Sequence, residues 1–215
     1  MCTFRLNIRA FFGIMGAQKL ANCNNNLPYV EQNVMNTKPT ELFLQLTDNE
    51  WEYTFTDHDR PTARGIVVDD KGYFYFVRAV RDDDFGKATL IETAGGGVEP
   101  NEDLSSAIVR ELKEELGVEV QVMCKIGVVS DYYNLIHRHN INNYFLCKVV
   151  SFGDKHLTAD EMDRWHLSTL KLHYADALAE YEKCTDSKLG RLVCNRELPI
   201  LKHAKVLLDW YKANG

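Results

Sequence analysis

The chain has 215 residues, of which 45% are hydrophobic and 26% charged, and its formal net charge is −6. That is enough chain to bury a substantial core within one domain, and the composition is that of a globular protein rather than a disordered or fibrous one. An acidic balance without a basic stripe speaks against broad binding of DNA or RNA, and no apolar run reaches the length of a membrane span.

Residues 1–38 read as an N-terminal extension, and 39–215 as a single domain. The extension carries Arg5, Arg9 and Lys19 before its first acidic residue, Glu31, and an apolar patch over 10–17. A targeting segment is the alternative reading. Six cysteines lack C-x-x-C spacing. Cys124 and Cys147 lie in apolar, strand-like runs and read as buried thiols, and the set supports neither zinc nor a disulfide framework, which points to a reducing, cytoplasmic setting.

Apolar runs over 41–46 and 51–55 predict strands around a turn at 48–50, and residues 57–61 read as a loop. Strands are expected over 63–68 and 73–78, joined by the turn Asp69-Asp70-Lys71-Gly72. A short strand over 90–93 runs into Gly95-Gly96-Gly97. Leu104, Ala107, Ile108, Leu112 and Leu116 recur at spacings of three and four, so 104–116 reads as an amphipathic helix that stops at Gly117. Strands follow over 118–129 and 143–150, with a polar, aromatic loop between them. Helical spacing returns over 174–183 and 198–210. The class is α/β, a mixed sheet with helices on its faces.

The predicted helix 104–116 carries Glu111, Glu114 and Glu115 at i, i+3 and i+4. Like charges at such spacing destabilise a helix by about 0.2–0.5 kcal/mol per pair, which asks for a cation beside them. Oxygen ligands without a neighbouring histidine or cysteine favour Mg2+ (Mn2+ possible) over zinc. Gly96 and Gly97, just ahead of the helix, let backbone approach an anion without a Cβ in the way. The combination suggests metal-assisted attack of water on phosphorus. Its plain alternative is a solvated acidic helix face.

The run from Gly96 to Val118 resembles the Nudix box, G-x5-E-x7-R-E-U-x-E-E-x-G-U, where U is a bulky aliphatic residue. Gly96, Glu102, Arg110, Glu111, Leu112, Glu114, Glu115, Gly117 and Val118 fill every fixed position. The resemblance implies a Nudix-type α/β/α sandwich that hydrolyses the pyrophosphate linkage of a nucleoside diphosphate derivative. It implies metal ligation by Glu111, Glu114 and Glu115, with the Gly96 carbonyl as a further ligand, and a bracing ion pair between Glu102 and Arg110. The general base is Glu111 or, on a later loop, Glu161, with Asp160 a weaker candidate. A homodimer through residues 41–56 belongs to the same resemblance.

A small-molecule nucleotide would find stacking surfaces in Tyr132 or Tyr133. Phosphate contacts are expected from Arg138, Arg64, Arg78 or Arg81, and from the Gly96 and Gly97 backbone. His137 and His139 offer a weaker metal pair. Nucleotide sugars such as ADP-ribose, dinucleoside polyphosphates and nucleoside triphosphates all remain open. So does a Nudix-fold sensor that binds nucleotide without turnover.

Overall fold

The computed structural model describes residues 37–215. The expected extension over 1–38 therefore lies, but for its last two residues, outside the described part. Eight strands form one sheet: β1 (Leu42–Gln45), β2 (His58–Val68), β3 (Phe74–Asp83), β4 (Gly86–Glu92), β5 (Ala94–Gly97), β6 (Val118–Tyr133), β7 (Arg138–Phe152) and β8 (Ser168–Leu172). Three helices accompany them: α1 (Leu104–Leu116), α2 (Tyr174–Lys183) and α3 (Lys188–Asn214). The strand order is β1-β6-β7-β2-β3-β4, with β5 on β2 and β8 on β3. The β1–β6 and β2–β7 pairs are parallel and the rest antiparallel, so the sheet is mixed as expected.

Each face of the sheet buries its own core. On one side Ile108 and Leu112 of α1 pack on Ala63, Val67 and Phe145. Gly65 permits this approach, because a Cβ there would lie 3.0 Å from Leu112. On the other side Ile200, Leu201 and Ala204 of α3 join Ile66, Phe76 and Leu146. This is the expected three-layer arrangement. Both ends of α1 are capped, the C-terminal one at the Gly117 stop that the sequence marks. Asp103 caps the first turn by accepting from the Ser105 and Ser106 amides, and Gly117 turns the chain left-handed at φ 65°.

Three expectations need correction. Residues 51–55 form no strand: Asp48 accepts from the Glu50 and Trp51 amides, which folds the chain over and leaves Tyr53 and Phe55 exposed. The loops expected at 57–61 and 130–142 are largely strand. Residues 58–61 of β2 run beside 138–141 of β7, and β7 in turn pairs with β6 around a short 3-10 turn at Asn134–Ile136. Their polar side chains misled the hydropathy pattern because they pair with one another. Thr62 donates to Asn142, and Asn142 donates to Asp131. Finally, α3 begins at Lys188, capped by Ser187, and runs through Pro199. Among the described residues no helix is long and apolar enough to cross a membrane.

Candidate active site

A cavity of about 360 Å³ opens where α1, the glycine strand β5, the β2–β7 strands, α3 and the loop after β7 converge. One wall is acidic. Glu111 and Glu115 point into it from α1, each only 8% exposed. Glu115 accepts the Gly95 amide at 2.8 Å, and burial pushes its carboxyl up to about 8. Burial likewise raises the Glu111 carboxyl. The glycines make this wall possible: a Cβ on Gly96 would lie 2.6 Å from Glu111 Oε1, and one on Gly95 would lie 2.2 Å from the Ala63 carbonyl.

Arg110 braces that wall from outside the cavity. It holds Glu102 through two hydrogen bonds of 2.8 Å and reaches the Gly97 carbonyl at 3.1 Å. The paired guanidinium draws the Glu102 carboxyl down to about 2. The same arginine donates to Glu111 at 2.8 Å and to Glu114 at 3.2 Å. Glu114 therefore turns away from the cavity, and its side chain is 41% exposed.

Another part of the lining is basic. Arg60 and Arg64 of β2, Arg138 of β7 and Arg196 of α3 all line the cavity. Glu197 anchors two of them. It is fully buried, sits 3.0 Å from Arg196 and 3.7 Å from Arg64, and accepts from the Thr93 amide, the Thr93 hydroxyl and the Tyr181 hydroxyl. Arg60 and Arg138 have no carboxylate within ion-pairing distance among the described residues. Burial, together with the neighbouring guanidiniums, lowers the affinity of both for their protons, and Arg138 falls to about 10. Half-buried cations crowded without counter-charge form a site for an anion.

The family model for the NUDIX domain matches residues 58–183. The chain belongs to the Nudix family. A 36-residue stretch is 58% identical to the CTP pyrophosphohydrolase of Escherichia coli (strain K12), covering 17% of this chain. The match spans only 27% of that relative's length. A NUDIX hydrolase from Nitrosomonas europaea superposes with a TM-score of 0.51 at 17% identity, over 73% of this chain and 90% of the other. The solution structure of the E. coli ORF135 protein gives 0.48 at 21% identity, over 71% and 91%.

The Nudix fold sorts the expected site residues. Glu111, Glu115, Gly96, Gly97, Arg64, Tyr133, Arg138 and Glu161 share the cavity. Glu161 enters from a π-helical turn over Asp160–Arg164, where its carboxylate and the Thr158 hydroxyl bond each other's amides. Arg81 also reaches the cavity, held by Asp83 at 2.6 Å. Arg78 lies elsewhere, paired with Glu180 at 3.3 Å. Tyr132 points out of the cavity and stacks on His139 with centroids 4.5 Å apart. Strand alternation separates it from Tyr133. The Tyr133 ring in turn lies between Arg138 and Arg196, and its hydroxyl accepts from Arg196 at 2.7 Å, so it is a wall rather than a free platform. His139 is held between Asp59 and Ser130, and His137 stacks on Phe55, so neither joins the carboxylates.

Sequence reasoning missed Arg60, Asn140 and Arg196. Arg60 and Asn140 fell in segments read as loop, and Arg196 fell before the expected start of the last helix. No three His, Cys, Asp or Glu side chains of the described residues are arranged to hold an ion in this conformation. The donor chemistry nevertheless fits a hard divalent cation. Glu111 and Glu115 are two buried carboxylates lining one cavity, and among the described residues Glu115 has only a backbone amide as hydrogen-bond partner.

Proposed function

We propose that this Nudix protein is a divalent-metal-dependent pyrophosphohydrolase acting on a nucleoside polyphosphate derivative. One observation carries the reading: two buried glutamates line the same cavity as a cluster of arginines, of which Arg60 has no carboxylate partner among the described residues. A diphosphate with its metal is the ligand whose charges complement both walls. Glu111, Glu115 and the Gly96 carbonyl would hold Mg2+ or Mn2+, and Glu114 would join them on release from Arg110. Such an ion, when bound, lowers the pKa of water and neutralises phosphate oxygens.

The rest of the work falls to the chain. Arg60 lies beside the glycine strand, where a Cβ on Gly97 would be 3.4 Å from its Nη2, and it would pair with phosphate oxygens there. Water oxygen bonds to one phosphorus, and the P–O bond to the bridging oxygen breaks. The departing phosphate keeps that bonding pair, and a carboxylate takes the water's proton. Glu161 fits the proton's role best, since it faces the cavity without an arginine partner, whereas Glu111 is held by Arg110. The glutamate-bearing helix and the glycine strand fix the reacting end, and the rest of the cavity admits the nucleoside.

The likeness to the E. coli CTP pyrophosphohydrolase supports a nucleoside triphosphate as the first substrate to test. Purified protein with Mg2+ or Mn2+ is offered nucleoside triphosphates, nucleotide sugars, ADP-ribose and dinucleoside polyphosphates, with products identified by mass. Metal-dependent release of a nucleotide product is expected, and EDTA abolishes it. Calorimetry that finds tight nucleotide binding without any product would replace the enzyme with a sensor.

A further inference from the structure

Asn140 sits on β7 in the floor of the cavity, 2% exposed, between its register neighbours Arg60 on β2 and Asp131 on β6. Neither its Oδ1 nor its Nδ2 has a hydrogen-bond partner among the described residues. The other buried asparagines of the described chain are all engaged. Asn134 donates to the Asp48 and Trp51 carbonyls, Asn142 to Val129 and Asp131, and Asn143 to Thr62 and Ile141. A folded chain rarely leaves a buried carboxamide idle at both ends, so this one calls for a partner that the described residues do not supply.

The chemistry of the amide narrows that partner. Nδ2 needs an acceptor and Oδ1 needs a donor, side by side. A phosphate at neutral pH satisfies the first and repels the second. A nucleobase edge presents both. Arg138 stands two residues away on the same strand face, without a carboxylate, and adds a demand for a further acceptor. Cytosine, uracil and guanine carry a ring carbonyl that can meet it, and adenine carries none.

We propose that Asn140 is a specificity-determining residue that reads the polar edge of a carbonyl-bearing nucleobase, with Arg138 donating to the carbonyl. The assignment rests on the nucleotide reading given above, but not on turnover. Adenine can satisfy Asn140 alone, yet it leaves the arginine unmet, so discrimination comes from the pair. Asn140 fixes the orientation of the base, and Arg138 tests what that orientation presents. Without Asn140 a base is free to slide until any acceptor reaches the arginine. A site built to hydrogen-bond its ligand rejects one that leaves its polar groups unpaired.

The test is titration calorimetry of the full chain with CTP, UTP, GTP and ATP in Ca2+, for wild type and Asn140→Leu, beside their melting temperatures. Wild type is expected to bind ATP at least tenfold more weakly than the tightest of the other three. In Asn140→Leu the four affinities are expected to fall within about threefold of one another, since the polar selection is gone. The melting temperature of the variant should hold or rise, because leucine leaves no amide unpaired.

Replacing the ribose by 2′-deoxyribose should leave the base preference intact. A large loss there, independent of the base, would assign Asn140 to the sugar and overturn the proposal. So would a base preference that survives in Asn140→Leu, or an equal loss on all four nucleotides with a lower melting temperature, which marks a structural residue. A base preference without hydrolysis in Mg2+ would sink the enzyme reading and leave Asn140 standing. Hydrolysis with flat base affinities would do the reverse, and absence of nucleotide binding would end both.

Discussion

The two walls of the cavity are built in opposite ways. The acidic wall comes from one continuous stretch: Glu111 and Glu115 lie a helical turn apart on α1, and the glycines that admit them precede that helix directly. The basic wall is gathered from the whole chain, with Arg60 and Arg64 on β2, Arg138 on β7 and Arg196 on α3. A helix sets the first by its own periodicity. The second exists only once the sheet and α3 have docked. The acidic wall should therefore fail by chemistry, whereas the part of the basic wall that Glu197 anchors, Arg64 and Arg196, should fail by folding.

The sharpest way to break that contrast is Glu115→Gln. The amide keeps the shape and can still accept from the Gly95 amide, but it no longer presents a charged ligand. Turnover should fall on the order of 10³-fold. The mutant should fold, because a neutral group replaces a carboxylate whose burial already disfavours its charge. The rise in melting temperature that Mg2+ gives the wild type should vanish. A variant that still gains stability from Mg2+ would place the ion elsewhere.

The same contrast explains what could be read from the sequence. The box positions on α1 were legible because caps, apolar stripe and carboxylates all lie within one helix and its flanking turns. The stripe and the Gly117 stop marked the helix and its end, and the structure adds Asp103 as the cap of its first turn. Arg138 and Tyr133 were legible as residue types but not as positions, since the segment 130–142 looked like a loop. Its polar residues are satisfied across strands by partners far along the chain, as Thr62 is by Asn142, and no local pattern announces that. Arg196 and Glu197 were invisible for a related reason. They are charged residues on a core-facing helix, where hydropathy predicts none, and they are tolerated because they neutralise each other and join a shared hydrogen-bond network.

Glu197→Ala tests the second half of the contrast. It removes a fully buried acceptor from Thr93, Tyr181 and Arg196 at once. Deleting one partner of a buried ion pair costs about 3–5 kcal/mol, and urea unfolding should show a loss of that size. Loss of activity without loss of stability would instead give Glu197 a chemical role. Arg60→Met should be milder, because Arg60 has no ion-pair partner to strand. KM for a nucleoside triphosphate should rise about tenfold, as expected for a charged hydrogen bond to phosphate, with little change in the urea midpoint. An unchanged KM would remove Arg60 from the phosphate site.

The smallest effect is expected at Asp103, and it separates local from assembled structure most cleanly. Its carboxylate accepts from the Ser105 and Ser106 amides and from the Ser106 hydroxyl, all exposed and all within the first turn of α1. Asp103→Ala should cost about 1 kcal/mol of stability by urea unfolding. Glu111 and Glu115 lie two and three turns farther along and are held by Arg110 and by the Gly95 amide rather than by the cap. Fraying of the first turn should therefore leave kcat where it was. A fall in kcat tenfold or more would mean that the acidic wall is carried by the helix end after all, and is as dependent on distant support as the arginines are.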